Sequence, residues 1–158
     1  MLVFGIDPGL VKTGWGMVET CVNGELKYVN SGLIKVNPKE QLEKRIRYIH
    51  ESILHLITLY EPGEIAMEEV FVNMNAKTSE KLIMARSAIF TAVASRGYTV
   101  HGYKPNKVKK SITGNGFANK ETVKRMVNAI LRQDISAETL DVLDALAVAI
   151  CHCNHRTA

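Results

Sequence analysis

Residues 2–7, Leu2-Val3-Phe4-Gly5-Ile6-Asp7, form an apolar run that ends on a carboxylate, and Pro8-Gly9 then turns the chain. Such a run reads as a buried strand closed by a turn. Working outward from it, Thr13 to Glu19 and Leu26 to Val36 alternate as two further strands. Asn23-Gly24 between them is a strong hairpin signal. Asn37-Pro38 predicts a helix start, with asparagine as the N-cap and proline at the first helical position. Leu42, Ile46, Ile49, Ile53, Leu56 and Tyr60 then form one amphipathic stripe at steps of three and four. Pro62-Gly63 ends that helix, and Glu64 to Val70 reads as a fourth strand that also carries a carboxylate, Glu68, near its end.

The pattern continues with a polar, Asn-rich loop over 71–78, a helix over Ser79–Ser95 and a short strand over Tyr98–Tyr103. Helices over Val108–Thr113, Asn119–Arg132 and Ala137–Cys153 close the chain. This order predicts an α/β fold, a mixed five-stranded sheet flanked by helices, in one domain spanning residues 1–158. A helix between strands three and four lets strand four return parallel to strand one. If the two are neighbours, Asp7 and Glu68 meet at the carboxyl edge, where open sheets place their ligands. The Ser79–Ser95 helix has more apolar positions than one sheet can cover, which predicts a second packing surface.

Two more carboxylates, Asp141 and Asp144, lie three apart in Leu140-Asp141-Val142-Leu143-Asp144-Ala145-Leu146 and so share a helix face. Three of the acids have a plain alternative: Asp7 as a turn residue, Asp141 and Asp144 as a solvated stripe. Against the second stands the rest of that face, Val148 and Cys151, where a wet helix would carry more charge. Four acids in otherwise buried segments need a counter-charge, because two unit charges ~4 Å apart repel by about 4 kcal/mol at an effective dielectric near 20. Protons or bound cations supply it. Oxygen-only ligands select Mg²⁺, with Mn²⁺ able to substitute, and two ions per site suit phosphoryl chemistry. No serine, cysteine or tyrosine has a convincing base beside it, so covalent catalysis is not expected.

Twenty Lys and Arg against 16 Asp and Glu give the 158-residue chain a net charge of +4. With a pI near 9.0, that balance points weakly to a polyanionic partner. The cations concentrate between Lys104 and Arg125, with Lys107, Lys109, Lys110 and Lys120 among seven basic residues and Glu121 as the one acid. A charge run is often just a solvated helix face. Here Gly114-Asn115-Gly116 interrupts it and Asn119 offers a helix N-terminus, which favours phosphate contact. Phe71 lies beside Asn73, Met74 and Asn75, which favours exposure and base stacking over burial. Cys151, His152, Cys153 and His155 invite a zinc reading, but only Cys151 and His155 align at i,i+4, so the cluster reads as structural. Three cysteines are too few for a disulfide framework, and no apolar stretch reaches membrane-spanning length. A cytoplasmic protein with no membrane partner is expected.

These residues also carry a family resemblance. Gly5-Ile6-Asp7-Pro8-Gly9 with Thr13-Gly14, and Ala66-Met67-Glu68-Glu69-Val70-Phe71 with Asn75-Ala76, resemble the RuvC Holliday-junction resolvases. So do Tyr103-Lys104-Pro105-Asn106-Lys107-Val108-Lys109, Gly114-Asn115-Gly116-Phe117-Ala118-Asn119-Lys120 and the stretch from Asp141 to His152. The matches run in order from residue 3 to residue 153. Two departures stand beside them: Glu69 replaces a glutamine common in the family, and the chain stops soon after its last helix, without the basic tail some members carry.

The resemblance implies a ribonuclease-H-like fold and a homodimer. It also implies Mg²⁺-dependent nicking of four-way junctions in recombination and repair, leaving 5′-phosphate and 3′-hydroxyl ends. It makes Asp7, Glu68, Asp141 and Asp144 the catalytic and metal-binding set, Phe71 the residue that touches bases, and Lys109 and Lys120 the cations near the scissile phosphate. It further implies the RuvA and RuvB branch-migration complex as partner.

Three rival readings remain open. A small actin- or kinase-like nucleotide-binding module could use the Gly9, Gly14 and Gly16 turn, but needs a second half for which 158 residues leave no room. A non-catalytic junction binder would tolerate loss of the carboxylates. An RNA-processing nuclease on the same fold differs in substrate alone.

Overall fold

A computed structural model describes residues 1–69, 76–135 and 138–156. Its strands are β1 (Leu2–Asp7), β2 (Lys12–Thr20), β3 (Leu26–Lys35), β4 (Glu64–Glu68) and β5 (Val100–Tyr103). Its helices are α1 (Leu42–Tyr60), α2 (Ala76–Ser95), α3 (Pro105–Thr113), α4 (Lys120–Leu131) and α5 (Leu140–Arg156). The sheet runs β3-β2-β1-β4-β5. The first three strands form an antiparallel meander closed at Gly24, whose φ of 82° suits the αL position of the turn. β4 returns parallel to β1 and β5 parallel to β4, as the intervening helices require.

Alternation along the strands separates two cores. Phe4, Ile6, Ile65 and Met67 face α1 and α2, together with Ile49, Ile53, Ile89 and Val93. Val3, Ala66 and Tyr103 face the other way, toward α5, α3 and α4. Val142, Leu143 and every residue from Ala145 to Cys153 of α5 are buried and Asp144 is half-buried, so this helix is enclosed between the sheet and its neighbours. It comes unusually close to the sheet because β1 and β2 present glycines to it. A Cβ on Gly5 would stand 2.1 Å from the carbonyl oxygen of Ala145, and one on Gly16 2.5 Å from the Leu146 side chain.

Two expectations are corrected. Asn37-Pro38 does not start α1: Asn37 instead accepts the Lys39 amide at 3.0 Å in a turn of its own, and the helix begins at Leu42 after Gln41. The Asn side chain can close either structure, and the apolar stripe fixes where the helix starts. The surplus apolar face expected on α2 does not include Ala88 and Ile89, which are buried within the protomer, on the side that meets the sheet and α1. Among the described residues, the large apolar side chains that α2 leaves exposed are Ile83 and Phe90.

Candidate active site

Side-chain parity brings the carboxylates together. Asp7 lies two residues beyond Gly5 and so faces α5, and Glu68 lies two beyond Ala66 on the adjacent parallel strand. α5 enters over this edge with Asp141 in its first turn and Asp144 one turn on. The loop after Asp7 is pinned by Thr13, fully buried, whose hydroxyl donates to the Gly9 carbonyl at 2.7 Å and accepts the Gly9 amide at 3.2 Å. Arg86 from α2 donates to the Glu68 carbonyl at 3.3 Å, holding the end of β4.

The converging acids act on one another's ionisation. Burial, then the charges of Glu68, Asp144 and Asp141, push the Asp7 carboxyl up to about 8, and its proton is donated to Glu68. Burial and the charge of Asp144 raise Glu68, against the lowering effects of the Asp7 hydrogen bond, Lys109 and Lys120. Burial also raises Asp144, opposed chiefly by Lys120 and Lys109. Carboxyl groups this destabilised as anions are suited to hold divalent cations, and all their donor atoms are hard oxygens.

The basic segment divides in two. Lys109 on α3 and Lys120 at the start of α4 are near enough to lower the carboxyl groups of Glu68 and Asp144. Asn119 caps α4, its side chain accepting the Thr122 amide at 2.8 Å. Lys107 and Lys110 instead border a groove of about 500 Å³ along the loop 114–117. The Lys107 ammonium stands 5.1 Å from the Tyr103 ring centre. That loop presents Phe117, 93% exposed, an aromatic that the sequence reading passed over. Its neighbours Asn115, Gly116 and Ala118, small or polar, were the available signal. Phe71 lies outside the described residues.

The Cys151–His155 cluster does not gather as a set. Cys151 and His155 face each other at 3.6 Å, while His152 points away, toward Glu64 and Tyr103.

A mixed sheet with a parallel β1–β4 pair, four acids at its carboxyl edge and an enclosing last helix defines a ribonuclease-H-like nuclease. The family model for crossover junction endodeoxyribonuclease RuvC matches residues 3–152. The chain is 40% identical over 152 residues to the RuvC of Ehrlichia chaffeensis, covering 96% of each. It is 41% identical over 156 residues to that of Paramagnetospirillum magneticum, covering 99% of this chain and 93% of the relative. Thermus thermophilus RuvC superposes with a TM-score of 0.91 at 31% identity, covering 99% and 96% of the two chains. The structure of the same enzyme with a Holliday junction substrate gives 0.90 at 28%, with the same coverage. The yeast mitochondrial resolvase Ydc2, at 11% identity and a TM-score of 0.72, shares the fold. The chain belongs to the RuvC family of crossover junction endodeoxyribonucleases.

Proposed function

We propose that the protein resolves four-way DNA junctions by paired, divalent-metal-dependent phosphodiester hydrolysis, the whole chain acting as one nuclease domain. The observation that carries this reading is the convergence of Asp7, Glu68 and Asp144 beside Lys109 and Lys120, in a chain of the RuvC family. Asp7, Glu68, Asp141 and Asp144 would hold Mg²⁺, or Mn²⁺ in its place. When bound, the ions supply charge stabilisation for the attacking water and the leaving 3′ oxygen. Without metal the Asp7 carboxyl holds its proton, donated to Glu68, up to a pH of about 8, and a bound cation would compete with that proton.

Lys109 and Lys120, close enough to act on Glu68 and Asp144, hold the phosphate that carries the scissile bond and add positive charge to it. The α4 N-terminus beside them contributes backbone N–H groups. Lys107, Lys110 and the exposed Phe117 extend the contact along the strand, and Phe71 adds stacking on unpaired bases.

The protein acts as a homodimer, because a two-fold junction needs two like-oriented cuts. Ile83 and Phe90, exposed on α2, are the apolar surface that such pairing would cover. A branch-migration complex of the RuvA and RuvB type is the partner that the family assignment suggests. Incubating the full chain with junction, duplex and RNA substrates, with and without Mg²⁺, tests the reading. Paired cuts confined to junctions and dependent on Mg²⁺ support it, and preferential RNA cutting would replace it with the RNA-processing alternative.

A further inference from the structure

At the end of the sheet opposite the four carboxylates, Glu64, His101 and His152 bring three ligand atoms within 4.8 Å of one another. The placement follows from the fold. Glu64 and Glu68 open and close β4 on one face, about 13 Å apart along the strand. α5 runs beside them in the opposite sense, so its first turns meet Glu68 and its C-terminal half meets Glu64. His101 pairs with Ala66 in the β4–β5 register and faces α5 as well.

His152 is 2% exposed and fully engaged. Its Nε2 lies 2.5 Å from a Glu64 oxygen, and its Nδ1 lies 2.8 Å from the Tyr103 hydroxyl. The second Glu64 oxygen lies 3.2 Å from Arg156. A hydrogen-bonded chain of Tyr103, His152 and Glu64 accounts for one buried imidazole. It gives no reason for a second imidazole, that of His101, tilted by 39° with its ring centre 4.5 Å away and a ligating nitrogen close to the other two ligand atoms. Two imidazoles and a carboxylate are the donor set of zinc-class ions rather than of magnesium.

We propose that Glu64, His101 and His152 form a second metal site, for a zinc-class divalent ion, separate from the nuclease centre. The ion replaces the proton on His152 Nε2. That proton moves to Nδ1 and is donated to the Tyr103 hydroxyl, which can donate or accept, so the ring stays neutral. A tetrahedral ion holds N and O ligands about 3.3 Å apart, so the Glu64 carboxylate withdraws by roughly 1 Å from its present contact. Arg156 remains on the outer oxygen. The ion joins β4 and β5 to the end of α5 opposite Asp141 and Asp144, and so braces the helix that carries them.

The test is zinc binding by the chelator-treated full chain in excess Mg²⁺, followed by calorimetry and thermal unfolding. It reads zinc rather than cleavage, so it stands or falls apart from the nuclease reading. Wild type is expected to bind a single equivalent of zinc and to melt higher with it. His101→Ala, a change at a solvent-accessible ring, loses zinc binding and the added stability, while its metal-free melting temperature and junction cleavage stay at wild-type levels. Tyr103→Phe weakens zinc by about 10- to 100-fold. Asp7→Asn leaves zinc binding intact. No zinc binding by wild type in excess Mg²⁺, or equal binding by His101→Ala, overturns the proposal. So does zinc binding that is lost with Asp7→Asn but kept with His101→Ala, because the ion then sits among the four carboxylates.

Discussion

Gly14 seats the backbone carbonyl of Asp141: a Cβ at position 14 would stand 1.9 Å from that oxygen. Gly14 is also the β2 partner of Asp7. One missing side chain therefore sets how close the helix bearing two carboxylates comes to the strand bearing a third. Gly14→Ala is expected to push α5 outward, costing about 1–3 kcal/mol of stability. Cleavage should fall by a larger factor than stability explains, with all four acids still present. Thermal unfolding beside junction cleavage, at a temperature where the variant is folded, checks this.

The raised Asp7 carboxyl sets a pH dependence. In the unfolded chain this group ionises near 3.8, and in the metal-free fold only near 8. Between those values the fold holds a proton that the unfolded chain has lost, so the metal-free protein loses stability as pH rises through that window. Asp7→Asn removes the effect and should melt several degrees higher than wild type without metal at pH about 8. Metal competes with the same proton. The Mg²⁺ concentration for half-maximal cleavage should therefore fall as pH rises, by up to about tenfold per pH unit, and level off above about 8. A Mg²⁺ requirement independent of pH over that range would contradict the shared proton.

Cations and aromatics should separate by salt. Lys109→Ala or Lys120→Ala is expected to weaken junction binding at every sequence and to lower the salt slope by about one unit per lost phosphate contact. Phe117→Ala should cost about 1–3 kcal/mol of binding with an unchanged slope. At 93% exposed, that residue can be removed without moving the melting temperature. Filter binding across a salt series distinguishes the two behaviours.

Assembly can be tested on the face of α2 turned away from the protomer core. Phe90→Asp and Ile83→Asp should shift sedimentation toward monomer and uncouple the paired cuts while the melting temperature holds. Ala88→Asp and Ile89→Asp strike the protomer core instead and should lower it. Sedimentation and melting, measured together, tell the two faces apart.

Much of this was legible in the residues. Alternation gave β1 and β4 their inward faces, and the crossover rule made them parallel, which placed Asp7 beside Glu68. The spacing of Asp141 and Asp144, followed by Val148 and Cys151, marked an enclosed face, and both of those followers are fully buried. Long-range partners were not legible. Nothing local to Gly14 shows that a helix beginning over 120 residues later will rest on it. His152 was weighed with Cys151, Cys153 and His155 because they adjoin in sequence, whereas its partners Glu64 and Tyr103 come from other strands. The α1 start was misplaced because Asn37 satisfies its side chain in a turn.

The central claim is that charge at Asp7, Glu68, Asp141 and Asp144 holds the metal that cuts junction DNA. The most direct measurement is cleavage of a labelled four-way junction by Glu68→Gln in saturating Mg²⁺, beside its binding of the same junction. The amide keeps the shape of the side chain and removes its charge. The account predicts cleavage lost by at least about a thousandfold with binding equal to or tighter than wild type. Cleavage near the wild-type rate would contradict it.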